Sequence, residues 1–213
     1  MLFPPSFYIR MINPQKRMSD NTKEKIVQAF KELLEEKEYS KITISDITEK
    51  CNISRQTFYY HFKNVFDMII WIFEQDTKSD PHNTGSYVPW RFLVRESFDY
   101  CRRNKDVITQ VLESSEKEKL ENYFIDFSIR KITEAIMIKT DGRMESKDAV
   151  FLARVYSYAY TGIIIQWIKD GMPDDGYELA EKIDAIVTAS MNPSIDVLME
   201  RTASTAKQSE KQQ

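Results

Sequence analysis

The side chains best suited to chemistry in this chain fall in one short stretch. Arg55 and Gln56 stand side by side, followed by Thr57, Tyr59, Tyr60, His61 and Lys63. Arginine presents paired donors that match the major-groove edge of guanine, and glutamine both donates to and accepts from adenine. Hydroxyls, an imidazole and an ammonium suit a second task, which is to hold phosphates and fix the register of the base-reading residues. Thr43, Ser45 and Ser54 place further hydroxyls just upstream. The expected DNA contacts are therefore Thr43, Ser45, Ser54, Arg55, Gln56, Thr57, Tyr59, Tyr60, His61 and Lys63, with Arg55 and Gln56 as base readers. The plainer reading is that Tyr59, Tyr60 and His61 pack inside a helical bundle.

Enzymatic chemistry finds little support. The five glycines, at 85, 142, 162, 171 and 176, are scattered and form no phosphate-cradling loop. His61 and His82 are the only histidines, and neither stands at zinc-ligand spacing from another His or Cys. No catalytic carboxylate pair stands out, and no cofactor or metal is expected. Cys101 lies in Tyr-Cys-Arg-Arg, where nearby positive charge could activate a thiol, so a redox sensor is one alternative. With two cysteines and no secretory signal, free thiols in a reducing cytoplasm are the natural expectation.

The active stretch needs elements to position it. Residues 22–37 place Ile26, Ala29, Phe30, Leu33 and Leu34 on one face at helical spacing. Thr43 can cap a short helix, with Asp46 as the acid of a capping box and Ile44, Ile47 and Cys51 as its buried face. Asn52 sits where the chain must turn, and asparagine tolerates left-handed backbone. Ser54 can cap a second short helix that points Phe58 and Phe62 inward. A further helix over 64–76 buries Val65, Met68, Ile69, Ile72 and Phe73. Two short capped helices at a tight turn are the layout of a helix-turn-helix, whose second helix enters the major groove.

Residues 42–64, ITISDITEKCNISRQTFYYHFKN, resemble the recognition segment of the TetR family of bacterial regulators. Thr43, Ile47, Ile53, Ser54, Thr57, Tyr59, His61 and Phe62 carry the match. Cys51-Asn52 replaces the usual Ala-Gly, and Val65 stands where the family commonly has Lys, which implies one missing phosphate contact. RQTFYYHFKN with Phe66, Asp67 and Trp71 is similar to a branch that includes regulators of dihydroxyacetone kinase operons. The resemblance implies a cytoplasmic dimer that binds an inverted-repeat operator under effector control. Repression is the commoner behaviour in the family. A helical adaptor acting through a protein partner is the other alternative.

The rest reads as an all-α protein: a three-helix head carrying the helix-turn-helix, on a larger helical body. An N-terminal arm is expected over 1–17, the head over 18–78, the body over 79–200 and a disordered tail over 201–213. Met1, Met11 and Met18 each could be the start. Residues 77–89 are rich in breakers and read as a loop. Body helices are expected at 90–103, 105–114, 117–139, 146–170 and 177–199. Residues 158–173, YAYTGIIIQWIKDGMP, are similar to the penultimate helix of TetR-like bodies, whose last two helices pair with their symmetry mates. The expected dimer stripe is Leu152, Val155, Ala159, Gly162, Ile163, Gln166 and Trp167. Pockets for small molecules are mostly apolar, which nominates Trp90, Phe98, Phe124, Phe127, Tyr156 and Tyr160 for an effector, although the same residues would serve an ordinary core.

Charge agrees with this division. The net charge is −3, yet residues 1–63 hold 11 Lys and Arg against 8 Asp and Glu. A basic end on an acidic remainder fits a DNA-facing head. The longest apolar runs are too short to span a bilayer.

Overall fold

The computed structural model describes residues 14–78 and 90–210. Among them are nine α-helices and no strand. The chain divides into two compact units, Met1–Pro81 and His82–Gln213.

The first unit contains α1 (Pro14–Glu36), α2 (Ile44–Lys50), α3 (Arg55–His61) and α4 (Val65–Lys78). A single 3-10 turn, Tyr39–Lys41, joins α1 to α2. Ile26, Phe30, Ile47, Phe58 and Met68 are fully buried and come one or two from each helix. Tyr39 closes the core edge-on to Phe30, with ring centroids 6.4 Å apart. Ile44, Cys51, Ile53, Val65 and Leu34 are only half-buried. On the seven-residue helices α2 and α3 a whole apolar stripe cannot turn inward, so Ile47 and Phe58 carry their burial, while Leu34 and Val65 lie near the ends of longer helices.

The second unit contains α5 (Trp90–Arg103), α6 (Lys105–Leu112), α7 (Lys117–Lys139), α8 (Ser146–Lys169) and α9 (Tyr177–Glu210). The α7–α8 hairpin and α9 enclose Ile132, Ile136, Met144, Ala149, Leu152, Ala153 and Ile195. At the far end of α8, Phe98 meets Trp167 edge-on at 5.0 Å. The Trp167 indole N–H donates to Asp174 Oδ1 at 3.0 Å, and the Gly176 N–H donates to the same oxygen at 2.8 Å. Helix α8 ends in a Schellman motif: Met172 N–H donates to Trp167 O at 3.0 Å and Gly171 N–H to Ile168 O at 2.9 Å.

Two expectations change. Helix α1 begins at Pro14, so 14–17 are helical where an arm was expected; proline is pre-set for a first helical turn. Residues 1–13 of that arm lie outside the described residues. Helix α9 continues to Glu210, so most of the expected tail is helical. Ala203, Ala206, Lys207, Gln208 and Glu210 are strong helix formers, which explains the extension. The expected loop overlaps α4 at 77–78, and 79–89 lie outside the described residues.

Gly176 tests the packing of the second unit. Its φ is +75°, and a Cβ there would stand 2.3 Å from Phe98 Cδ1. Gly176→Ala is expected to destabilise by about 3 kcal/mol, combining left-handed strain with overpacking. Gly142, with φ +69°, would direct a Cβ into open space, so Gly142→Ala should cost only about 1 kcal/mol. Urea unfolding of the two variants measures the difference.

Candidate nucleic-acid interface

The interface is built from caps. Thr43 Oγ1 accepts the Asp46 N–H at 3.2 Å, while Asp46 Oδ2 accepts the Thr43 N–H and hydroxyl, each at 2.7 Å. Lys37 adds an ion pair to the same oxygen at 2.8 Å. Lys37 and then Thr43 hold the Asp46 carboxyl well below the usual carboxylate range. Helix α2 ends in a second Schellman motif, with Ile53 N–H donating to Thr48 O at 2.9 Å and Asn52 N–H to Glu49 O at 3.2 Å. Asn52 takes the left-handed position of that motif, φ 54°.

Helix α3 follows at once. Ser54 Oγ accepts the Thr57 N–H at 3.0 Å, and the two hydroxyl oxygens lie 2.8 Å apart. Phe58 and Phe62 point inward with centroids 5.9 Å apart. Arg55, Gln56, Tyr59, Tyr60 and Lys63 point outward, and Tyr60 is 80% exposed. A tyrosine that exposed is not a core residue, which removes the packing reading for Tyr60 and for exposed Tyr59. Arg55 donates from Nη2 to Ser45 Oγ, so the guanidinium is held against α2 at the leading end of α3.

The remaining expected contacts divide by role. Thr43 and Ser54 engage their hydroxyls in caps, so their first task is to position the helices. Thr57 and Ser45 are half-buried. His61 is also half-buried, with Tyr60 edge-on at 5.0 Å. Burial first, and the Lys23 charge second, hold its imidazole below the ordinary histidine value. A neutral imidazole can hold a phosphate through one N–H but brings no charge. Asn64 caps α4, its Oδ1 accepting the Asp67 N–H at 2.8 Å. Sequence reasoning missed Lys37, whose pairing with Asp46 crosses a stretch read only as a break, and Lys23, whose aromatic neighbours are far away in sequence.

The expected dimer stripe on α8 splits across two faces. Val155, Ala159, Gly162, Ile163 and Gln166 are exposed. Leu152 and Trp167 are buried within the single chain, Leu152 in the α7–α8–α9 core and Trp167 against Phe98. Their inward position corrects the stripe: residues three and four apart straddle its edge as it winds around the helix. Phe151 and Tyr158, outside the expected stripe, are also exposed on α8, and Ile186 and Val197 are exposed on α9.

Five of the six nominated effector residues can be placed. The Trp90 side chain lies outside the described residues. Phe98 is fully buried on Trp167. Half-buried Phe124 and Phe127 flank Tyr123 with centroid distances of 6.2 and 6.4 Å. The Tyr156 hydroxyl lies 2.9 Å from Ser190 Oγ and ties α8 to α9. Tyr160 is buried, and burial raises its phenol above the ordinary value. Cys101 is buried too, and burial pushes its thiol up to about 12. That corrects the redox-sensor alternative, which needs a depressed pKa and access.

The caps give a stability test. Thr43→Ala should cost about 1 kcal/mol, the usual worth of such a cap. Asp46→Asn should lower the melting temperature at pH 7. Because the folded value lies below the ordinary 3.8, the Asp46 contribution is complete above that pH and fades as acid carries the protein through the lowered folded value. The gap between wild type and Asp46→Asn should therefore close only in strong acid; a gap already lost at pH 5 would contradict this account.

Comparison with known proteins agrees with this geometry. Residues 26–65 match the family described as "Bacterial regulatory proteins, tetR family", and residues 89–189 match "Transcriptional regulator C-terminal region". The chain is 37% identical over 70 residues to the HTH-type dhaKLM operon transcriptional activator DhaS of Lactococcus lactis subsp. lactis (strain IL1403), covering 33% of this chain and 37% of that protein. It is 37% identical over 78 residues to the uncharacterized HTH-type transcriptional regulator YxbF of Bacillus subtilis (strain 168), covering 36% of this chain and 20% of that protein. The matches thus span well under half the length of either curated relative. A solved structure, Dihydroxyacetone kinase operon activator DhaS, shares the fold with a TM-score of 0.61 at 22% identity, over 83% of this chain and 97% of that chain. Capped helices α2 and α3, the outward polar face of α3 and the two family matches, together covering about two-thirds of the chain, lead to one conclusion: this is a transcriptional regulator of the TetR family.

Proposed function

We propose that this regulator binds an inverted-repeat operator as a homodimer, with Arg55 and Gln56 reading bases and Tyr59, Tyr60, His61 and Lys63 contacting the backbone. The observation that carries the reading is the outward face of α3, where these side chains stand exposed or half-exposed on a helix fixed by its caps. Arg55 already has one donor on Ser45 and keeps the others for a base edge.

The dimer reading rests on exposed apolar side chains of α8 and α9. Tyr158 is 61% exposed and Ile186 65%, and Phe151, Val155, Ile163 and Val197 are exposed with them. So many large apolar side chains exposed on two long helices support the reading of an association surface. A two-fold protein meets two half-sites of opposite orientation, hence the inverted repeat. An effector acting on the body would shift the balance between arrangements by its differential affinity for them. The expected repressor role draws on family habit alone. The name of the Lactococcus relative, an operon activator, favours activation as a second reading.

Selection from a random duplex library should enrich an inverted repeat; a selection that enriches nothing would favour the adaptor reading. Arg55→Ala should cost about 1–3 kcal/mol at one base position of each half-site, and Lys63→Ala should weaken all sequences alike. Tyr158→Glu should give a monomer by sedimentation with its helical content intact. A reporter driven from the selected site, with and without the regulator, reads the sign.

A further inference from the structure

Several lysines of the first unit are already neutralised. Lys37 pairs with Asp46 at 2.8 Å, Lys41 with Glu38 at 3.0 Å, and Lys50 with Glu36 at 2.7 Å and Glu32 at 3.5 Å. Lys23 differs. Among the side chains that the structure describes, no carboxylate pairs with its ammonium. Its Nζ lies instead 5.8 Å from the Phe62 ring centroid and 5.4 Å from that of Trp71. The two rings meet edge-on at 5.8 Å. A carboxylate would place this charge and cancel it; aromatic faces place it and leave it uncancelled.

The position matters as much as the charge. Phe62 is the C-cap of α3, between His61 and exposed Lys63. Lys23, on α1, therefore brings a positive charge to the end of the recognition helix. The His61 imidazole registers that charge, since Lys23 helps to keep it neutral. A neutral N–H donor and an ammonium brought to the same end of α3 suit the phosphate backbone, with the ammonium supplying the charge and the imidazole the direction.

We propose that Lys23 is a phosphate-contacting residue of the DNA interface, held at the end of α3 by the rings of Phe62 and Trp71. The proposal rests on the reading of α3 as the DNA-facing helix. Its rival is a purely structural clasp, in which the ammonium only joins α1 to α3 and α4.

The two differ in salt dependence. Each phosphate neutralised contributes about 0.9 to the slope of log K against log salt. Such contacts are independent of sequence, so a random-sequence duplex is a sufficient probe. Lys23→Met keeps the apolar stem on the rings and removes the charge. In the full-length protein it should lower the slope by about 0.9, while Lys23→Arg keeps the wild-type slope. A Lys23→Met protein with the wild-type slope overturns the proposal, whatever its melting temperature. Should Lys23→Met fail to fold, acetylation of wild-type Lys23 by an amine-reactive ester provides the second measurement. The duplex should protect Lys23 as it protects Lys63; a Lys23 that reacts equally with and without duplex overturns the proposal. Lys63→Ala separates the two levels. If it lowers the slope and Lys23→Met does not, only the role of Lys23 fails; if neither does, the DNA-facing reading of α3 fails with it.

Discussion

A helix of seven residues does not persist alone in water, because nucleating the first turn costs more than so few hydrogen bonds return. Helix α3 has seven residues and must nevertheless present its outer face in a fixed register. Everything around it answers that constraint. Ser54 starts the helix, Phe58 and Phe62 anchor it, and the Asn52 turn sets its angle to α2. Helix α2 is just as short and depends on Thr43, Asp46 and Lys37. The main anchors of α3, the Ser54 cap and the buried Phe58 and Phe62, lie apart from the outward polar face.

Much of this was legible in the sequence because caps are local. Thr43 with Asp46, Asn52, and Ser54 with Thr57 all act within three or four residues, so their spacing shows their role. Body helices α5 to α8 were legible from apolar spacing and from breakers at their ends, where Gly171 takes the left-handed position after α8. Contacts distant in sequence were not legible. Nothing near Lys23 announces Phe62 or Trp71, and nothing near Ser45 announces Arg55. The far end of α9 escaped for a different reason. Its sequence carries no apolar spacing, and only the helix preference of its residue types supports the extension to Glu210.

Helix α8 shows why apolar spacing alone could not separate core from surface. It is apolar over most of its circumference, burying Leu152, Ile164 and Ile168 on one side while exposing Phe151, Val155 and Tyr158 on another. A helix that is apolar over so much of its surface gives no single stripe from which the core face can be read. Within one chain α7 and α9 cover part of it, and Tyr156 fixes α9 in place through Ser190. The sequence shows the total; only the packing shows which residues are left over.

The two cysteines carry a practical consequence. Cys51 lies half-buried in the first unit, its thiol donating to Ile47 O at 3.1 Å, and Cys101 is buried in the second. Each compact unit thus contains one native sulfhydryl and no competing one. Alkylation at increasing denaturant, followed by mass spectrometry of the two peptides, would follow each unit separately without any engineered label, buried Cys101 reporting from full protection and half-buried Cys51 by the rise above its native rate. Because thiol modification captures transiently open states, the denaturant dependence of the two rates would report whether the DNA-facing unit unfolds on its own or only together with its neighbour.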